Sequence, residues 1–402
     1  MKDGCQCEES NRIVKCNGGV FTAFPYLLPP TTTYLDISDN WIHSIQLPLS
    51  SIAMNLQVLI LRNTSISSLS DDTFFGLKSL KRLDLSDNRL TSLQPEIFSS
   101  LTDLEFLSLS TNAGLSISPF QLDPLASLRQ LSLSHCGMTN LSNGIFHGLR
   151  RLEELHLQGN NLRRLPNGIF KELERLERLD LSENHLEDMS PWLGYSAFKK
   201  HLQYLSLSHN SIKRLDAFEM SRLDSLQELF LDSNELSSIP LNVWPSNLTS
   251  LSLSHNVLSI INTASFNDLP KLESLNISHN IQLSEIQMSS FVSLSSLQSL
   301  SLSQSSLSTL SPLSFSPLPS SLSHLSLSFN PLSCSDCSLR SFPSSILIER
   351  INILIPLLFF PLPFLLQEQN TSMVVDVRLL ITNNNCLLVD QSIQKFRLIA
   401  GT

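Results

Sequence analysis

The residue most able to do chemistry in the middle of this chain is Cys136, in the stretch LRQLSLSHCGMTNLSNGIF (128–146). A thiol there could be a nucleophile, half of a disulfide, a metal ligand, or a stand-in for another residue. The stretches LKRLDLSDNRLTSLQPEIF and LEELHLQGNNLRRLPNGIF align with it residue for residue and hold Asn88 and Asn160 at the matching position. His135 stands directly before Cys136, and His209, His255 and His279 occupy the same place in three further copies. Histidine titrates near neutral pH, so protonating His255 and His279, one copy apart, would set like charges close together. The plainer expectation is four solvent-facing histidines at a variable position. No H-E-x-x-H, G-x-S-x-G or phosphate-loop pattern occurs, and the 12 glycines are scattered at turns. The chain is therefore expected not to be an enzyme and to use no metal or other cofactor.

The elements that position these residues follow from a repeat. Alignment on L-x-x-L-x-L-x-x-N gives thirteen copies, whose ninth residues are Asn40, Thr64, Asn88, Asn112, Cys136, Asn160, Asn184, Asn210, Asn234, Asn256, Asn280, Ser305 and Asn330. The first six steps are 24 residues each, and later ones run from 22 to 26. This period and pattern are those of the leucine-rich repeat. Alternation of leucine with polar residues predicts a short strand with leucines inward, and Leu90, Leu93, Phe98 and Leu101 turn inward on the return segment. One repeat buries too little to offset the entropy of ordering its backbone, so only a stack is stable. The expected fold is an α/β leucine-rich repeat solenoid: a horseshoe with a parallel concave β-sheet, an irregular convex side and an N-terminal cysteine cap. Its divisions are 1–31 for the cap, 32–330 for thirteen repeats, 331–342 for the start of a C-terminal cap, and 343–402 for a divergent tail. A second column supports the register. Phe74, Phe98, Phe146, Phe170, Phe266 and Phe315, with Leu122, Met220, Trp244, Phe198 and Phe291 near the same place, read as a packing spine.

The ninth residue points inward where the strand ends and backbone groups need partners. Asparagine can donate to one loop and accept from the next, building a ladder through the stack. Cys136 is accordingly read as a buried, unpaired, structural thiol, since burial raises a thiol's pKa and blocks access.

Composition narrows the setting. The chain has 402 residues, 42% hydrophobic and 16% charged, with a net charge of −9, which argues against a nucleic-acid partner. The basic run 150–178 is interleaved with glutamates and reads as a solvated surface. Five of the seven cysteines gather at the two ends of the array, at Cys5, Cys7 and Cys16 and at Cys334 and Cys337, with Cys136 and Cys386 alone. Such clusters read as disulfide-stapled caps, which need an oxidising compartment. Sequons at Asn63, Asn140, Asn247, Asn276 and Asn370 agree and are expected to carry glycans. The opening MKDGCQCEES holds no apolar leader, so the natural start is expected to lie upstream. The apolar run 351–366 would reach about 24 Å as a helix, short of a roughly 30 Å hydrocarbon core, and leaves membrane attachment open.

The segment CQCEESNRIVKCNGGVFTAFPYLLPPTTTYLDISDN resembles the N-terminal cap of extracellular leucine-rich repeat proteins such as Slit, the Toll-type receptors and the small leucine-rich proteoglycans. The matching features are C-x-C, the V-x-C of Val14 and Cys16, and the FPYLLPPTTTYLDIS approach to the first repeat. In Slit-like caps the first of four cysteines lies four residues before C-x-C, where this chain has Met1. The resemblance implies a Cys5–Cys16 disulfide and no pairing for Cys7. NPLSCSDCSLRSF resembles the opening of the matching C-terminal cap, with one extra residue between Cys334 and Cys337.

The resemblance implies an extracellular or cell-surface recognition module, receptor-like or secreted, that binds a protein or glycan ligand across its concave face. A structural extracellular-matrix protein of the same family is the alternative. The third, fifth and seventh positions of each strand point outward. Repeats ten to thirteen present mostly serine there: Ser250, Ser252, Ser254, Ser274, Ser278, Ser299, Ser301, Ser303, Ser326 and Ser328. Repeats six to nine present Glu154, His156, Arg178, Asp180, Tyr204, Glu228, Phe230 and Asp232. Aromatics beside arginine are the composition of binding hot spots, so these eight residues are the expected ligand face.

Overall fold

The computed structural model describes residues 5–8, 12–19, 21–46, 48–309 and 321–332, with short strands at 347–349, 377–382, 385–390 and 397–398. Phe315, Cys334, Cys337, Asn370 and the run 351–366 lie outside the described residues. The chain divides into two units, Met1–Ile212 with Phe218–Leu226, and Lys213–Ala217 with Gln227–Thr402.

In the first unit each L-x-x-L-x-L segment folds into a three-residue strand, because the inward leucines leave only a short stretch to pair before the chain turns. β1 (Gln6–Glu8) runs antiparallel to β2 (Ile13–Lys15). Parallel strands follow in chain order: β3 (Tyr34–Asp36), β4 (Val58–Ile60), β5 (Arg82–Asp84), β6 (Phe106–Ser108), β7 (Gln130–Ser132), β8 (Glu154–His156), β9 (Arg178–Asp180) and β10 (Tyr204–Ser206). The central leucines of β3 to β10 are wholly buried. The register is strict, so that Tyr34, Val58, Arg82, Phe106, Gln130, Glu154, Arg178 and Tyr204 form one outward row.

The second unit repeats the plan with β11 (Glu228–Phe230), β12 (Ser250–Ser252), β14 (Ser274–Asn276), β16 (Ser299–Ser301), β17 (His324–Ser326) and β18 (Leu347–Glu349) in parallel. On its return segments β13 (Ile260–Ile261) pairs with β15 (Glu285–Ile286).

Beneath each strand end runs the asparagine ladder. Asn88 Nδ2 donates to Leu61 O at 2.7 Å and to Leu85 O at 3.0 Å, while its Oδ1 accepts from Thr64 N at 3.1 Å and Ile66 N at 2.9 Å. The donor and the acceptor thus both serve the preceding repeat, where the sequence suggested one bond to each neighbour. A planar amide whose two ends point the same way along the stack can close both gaps at once. Asn40 makes the same clip to the cap, donating to Cys16 O at 2.7 Å and accepting from Phe21 N at 2.9 Å. A Cys5–Cys16 disulfide closes the cap.

The aromatic column is a buried spine within each unit. Phe146 stacks on Phe170 at 5.8 Å between ring centroids, and Phe170 meets Phe198 at 5.9 Å and Trp192 edge-on at 5.7 Å. In the second unit Phe266 stacks on Phe291 at 5.9 Å.

The eighth position of every repeat is left-handed. Asp39, Asn63, Asp87, Thr111, His135, Gly159, Glu183, His209, Ser233, His255, His279, Gln304 and Phe329 all have φ between 52° and 69°. The inward ninth residue forces the chain to reverse its twist there, and Asn, Asp, His and Gly tolerate that conformation best. His135, His209, His255 and His279 therefore occupy a conformational niche.

Candidate functional site

Cys136 is completely buried. Its amide donates to Asn160 Oδ1 at 3.1 Å, and its Sγ donates weakly to Leu109 O at 3.3 Å and Ser134 O at 3.5 Å. Burial, the largest influence, pushes the thiol pKa up despite hydrogen bonds from the Asn112 and Thr111 backbone. A protonated, inaccessible sulfur is neither a nucleophile nor a ligand. Sulfur is a weaker acceptor than the asparagine oxygen, and the loop of the preceding repeat differs. It holds one more residue after its ladder position (Asn112-Ala113-Gly114-Leu115), and Gly114 N donates to the Cys136 carbonyl at 2.8 Å.

On the outward row of the first unit, the Arg178 guanidinium carbon sits 4.0 Å from the centroid of the Tyr204 ring on the next strand. One strand earlier, Glu154 Oε2 lies 3.5 Å from His156 Nε2. β8, β9 and β10 thus gather Glu154, His156, Arg178, Asp180 and Tyr204 on one surface. Tyr204 is half-buried rather than fully exposed, because the arginine lies across it. Asp180 is partly committed to its own turn, with Oδ1 accepting from Ser182 N at 3.0 Å and Ser182 Oγ at 2.6 Å.

The same row holds a pair that sequence reasoning passed over. Arg82 lies 3.5 Å above the centroid of Phe106, with Val58 and Tyr34 on the two strands before it. Burial, chiefly, and then the nearby Asp36 carboxylate raise the Tyr34 hydroxyl pKa. The signal was available, since all four occupy the third position of their repeats.

The second unit carries the other three expected residues, Glu228, Phe230 and Asp232. Phe230 is half-buried. Asp232 Oδ1 accepts from Ser254 N at 3.0 Å and from the hydroxyls of Ser252 and Ser254. That oxygen therefore pins the next repeat. Ser252, Ser254, Ser278 and Ser328 are buried rather than presented to solvent. Small hydroxyls sink between strands and bond to neighbouring Asp, Asn or Ser side chains, as Ser278 Oγ does to Asn276 Oδ1 at 2.8 Å.

His255 and His279 stack with ring centroids 3.9 Å apart. Burial and then the neighbouring His255 lower the His279 pKa from its ordinary 6.5. Among the sequons, Asn140 is exposed. Asn63 is exposed but donates to Asp39 Oδ1 at 2.8 Å. Asn247 accepts from Lys271 Nζ at 2.6 Å, and Asn276 lies within β14.

The description leucine rich repeat matches residues 54–113, 79–138, 126–186, 193–236, 244–281 and 280–332, which together make up most of the chain. The chain belongs to the leucine-rich repeat family. Relatives within it include the human leucine-rich repeats and immunoglobulin-like domains protein 2, 45% identical over 89 residues, which are 22% of this chain and 8% of that protein. Human Toll-like receptor 5 is 37% identical over 93 residues, 23% of this chain and 10% of that protein. The matches thus span a tenth or less of these relatives' own lengths. A solved leucine-rich repeat protein of Leptospira interrogans superposes with a TM-score of 0.70 at 27% identity, covering 79% of this chain and 78% of that one. A leucine-rich repeat solenoid displays an extended surface for interaction.

Proposed function

We propose that this chain is the ligand-recognition part of a receptor-like or secreted extracellular protein, acting by binding a protein ligand rather than by catalysis. The observation that carries the reading is the Arg178–Tyr204 pair beside Glu154 and His156 on β8 to β10. An arginine resting over an aromatic ring is pre-ordered, so little side-chain entropy is lost when a partner covers it. Folding alone does not call for a tyrosine and an arginine on the outward face. In the second unit Glu228 and Phe230 are proposed as contacts in their own right, with Asp232 positioning the turn beside them. The Cys5–Cys16 bridge supports an oxidising, extracellular setting, and so does a relative named as a receptor. Glycans on Asn63, Asn140, Asn247, Asn276 and Asn370 belong to the same proposal.

The experiment is a binding screen of the folded chain against a panel of secreted and cell-surface proteins, followed by Tyr204→Ala and Arg178→Ala. Each variant is expected to weaken the partner found by about tenfold or more, as hot-spot truncations do. Wild-type affinity in both variants, with unchanged circular dichroism, would place the contact surface elsewhere.

A further inference from the structure

Three glycines of this chain directly follow an asparagine, in the pairs Asn17-Gly18, Asn143-Gly144 and Asn167-Gly168. All three asparagines are exposed. Asparagine is chemically labile, most of all before glycine, where no Cβ hinders the next amide nitrogen from reaching the side-chain carbonyl carbon. The pairs are alike in sequence, and the structure separates them.

Asn143 and Asn167 sit in turns tied on both sides. Ile145 N donates to Ser142 O at 3.2 Å and Ile169 N to Pro166 O at 3.2 Å, and both isoleucines are buried. The Gly144 carbonyl accepts from Phe120 N at 3.1 Å and His147 N at 3.2 Å, and the Gly168 carbonyl accepts from Lys171 N at 3.1 Å. Turning either glycine amide toward its asparagine disturbs these bonds, and each one broken slows the step by roughly two- to tenfold. The Asn17 pair has no such ties. It leads into a second glycine instead of a buried isoleucine, and Gly18 and Gly19 have φ of 107° and 81°. Chain neighbours apart, no atom lies within 4 Å of where a Gly18 Cβ would stand. Asn17, Gly18 and Gly19 make no hydrogen bond among the described residues. The fixed points lie on either side of them: Cys16 O accepts from Asn40 Nδ2 at 2.7 Å, and Phe21 N donates to Asn40 Oδ1 at 2.9 Å.

We propose that Asn17 is a site of spontaneous deamidation and the fastest of the three. The Gly18 amide nitrogen gives its proton to hydroxide and attacks Asn17 Cγ. The new N–Cγ bond replaces the Cγ–Nδ2 bond, and ammonia leaves with a proton from water, which regenerates the hydroxide. The cyclic imide then adds one water. Opening at Cγ leaves aspartate, and opening at the backbone carbonyl leaves isoaspartate. Both products carry a carboxylate in place of a neutral amide. Isoaspartate also lengthens the main chain by one atom between the two points that Asn40 holds, so the cap end of the ladder ages first.

The test is incubation of the whole folded chain at neutral pH and body temperature, with peptide mass mapping of amide-to-acid conversion at each pair. Labelling by an isoaspartyl methyltransferase identifies the isoaspartate. The same chain unfolded in denaturant is the reference, where the three pairs should convert at similar rates. In the folded chain Asn17 should stay within about threefold of its unfolded rate, while Asn143 and Asn167 slow by about tenfold or more. Asn17→Gln, which would have to close a six-membered ring, should abolish conversion at this position and leave the other two unchanged. Conversion at Asn143 or Asn167 as fast as at Asn17 in the folded chain overturns the assignment, as does slowing of Asn17 by about tenfold on folding.

Discussion

Asn160→Ala removes one rung of the ladder, and its consequence can be worked from the bonds lost. The Asn160 side chain accepts from Cys136 N at 3.1 Å and Met138 N at 3.0 Å, and donates to Leu133 O at 2.9 Å and Leu157 O at 2.8 Å. Asn160 is 3% exposed, so water does not reach the groups it leaves behind. Carbonyls have a second lone pair and adapt, whereas a buried N–H without an acceptor costs about 1–3 kcal/mol. Two such groups give roughly 2–6 kcal/mol, felt at the junction of the fifth and sixth repeats. A solenoid opens locally, so a single global unfolding energy is the wrong readout. Native-state hydrogen exchange of the Cys136 and Met138 amides is the right one. At about 1.4 kcal/mol per tenfold, their protection should fall by roughly thirtyfold to ten-thousandfold, while amides in the first two repeats keep theirs. A fall of less than about threefold would refute the claim that the ladder, rather than the leucines alone, joins one repeat to the next.

Three other outcomes follow from the structure. Gly159→Ala puts a Cβ 2.1 Å from His135 Nδ1 at φ 69°; a thermal melt should show a loss of about 1–2 kcal/mol or more, partly recovered by His135→Ala, which relieves the clash but not the backbone. Lys199 Nζ contacts Glu219 Oε2 at 2.5 Å with both side chains under 15% exposed, so Lys199→Ala should destabilise by about 3–5 kcal/mol in denaturant unfolding, and the pair Lys199→Met with Glu219→Leu far less. Because the His279 pKa is lowered in the folded state, the unfolded chain binds the extra proton more readily; stability from this group is complete above its ordinary 6.5 and lost as pH falls from there through the folded pKa. In an NMR titration, His255→Ala should move the His279 midpoint upward, and an unmoved midpoint would remove the coupling.

Much of this architecture is legible in the chain itself, because a leucine at positions four and six has one place to go. The ladder, the spine and the outward row follow from counting, as does the burial of Cys136. What counting misses is local geometry. Position eight looked variable because its residues share a backbone conformation rather than a chemistry, and only an angle reveals that His135, Asp87 and Gly159 are alike. Of the outward serines, Ser274 is exposed and Ser250, Ser299, Ser301, Ser303 and Ser326 half-buried, but Ser252, Ser254, Ser278 and Ser328 are buried, because a hydroxyl is short enough to settle between strands and bond to Asp232 or Asn276. The loop change at Gly114 that accompanies Cys136 was visible in the sequence, as was a similar extra residue at 281–283 ahead of Ser305. Its meaning required the hydrogen bond from Gly114 to the Cys136 carbonyl. Counting also places Arg82 and Phe106 on the outward row, but their contact depends on side-chain geometry that counting does not supply.

The left-handed column has an evolutionary consequence. A residue arriving there by mutation meets a backbone angle before it meets any neighbour, and most side chains are disfavoured by about 1–2 kcal/mol in that state. Those that escape the penalty, glycine, asparagine, aspartate and histidine, are small or polar. Selection for folding alone therefore holds this strip to a hydrophilic alphabet, with no pressure for solubility required. Within that alphabet charge is free to drift, from Asp39 and Asp87 to His255 and His279. Lineages can thus retune the electrostatic edge of the sheet without disturbing a single leucine. Thr111, Glu183, Ser233 and Gln304 stay polar but lie outside those four types, and Phe329, at φ 57° and 52% exposed, is the one apolar member of the column; Phe329→Gly or Phe329→Asn should therefore stabilise the chain.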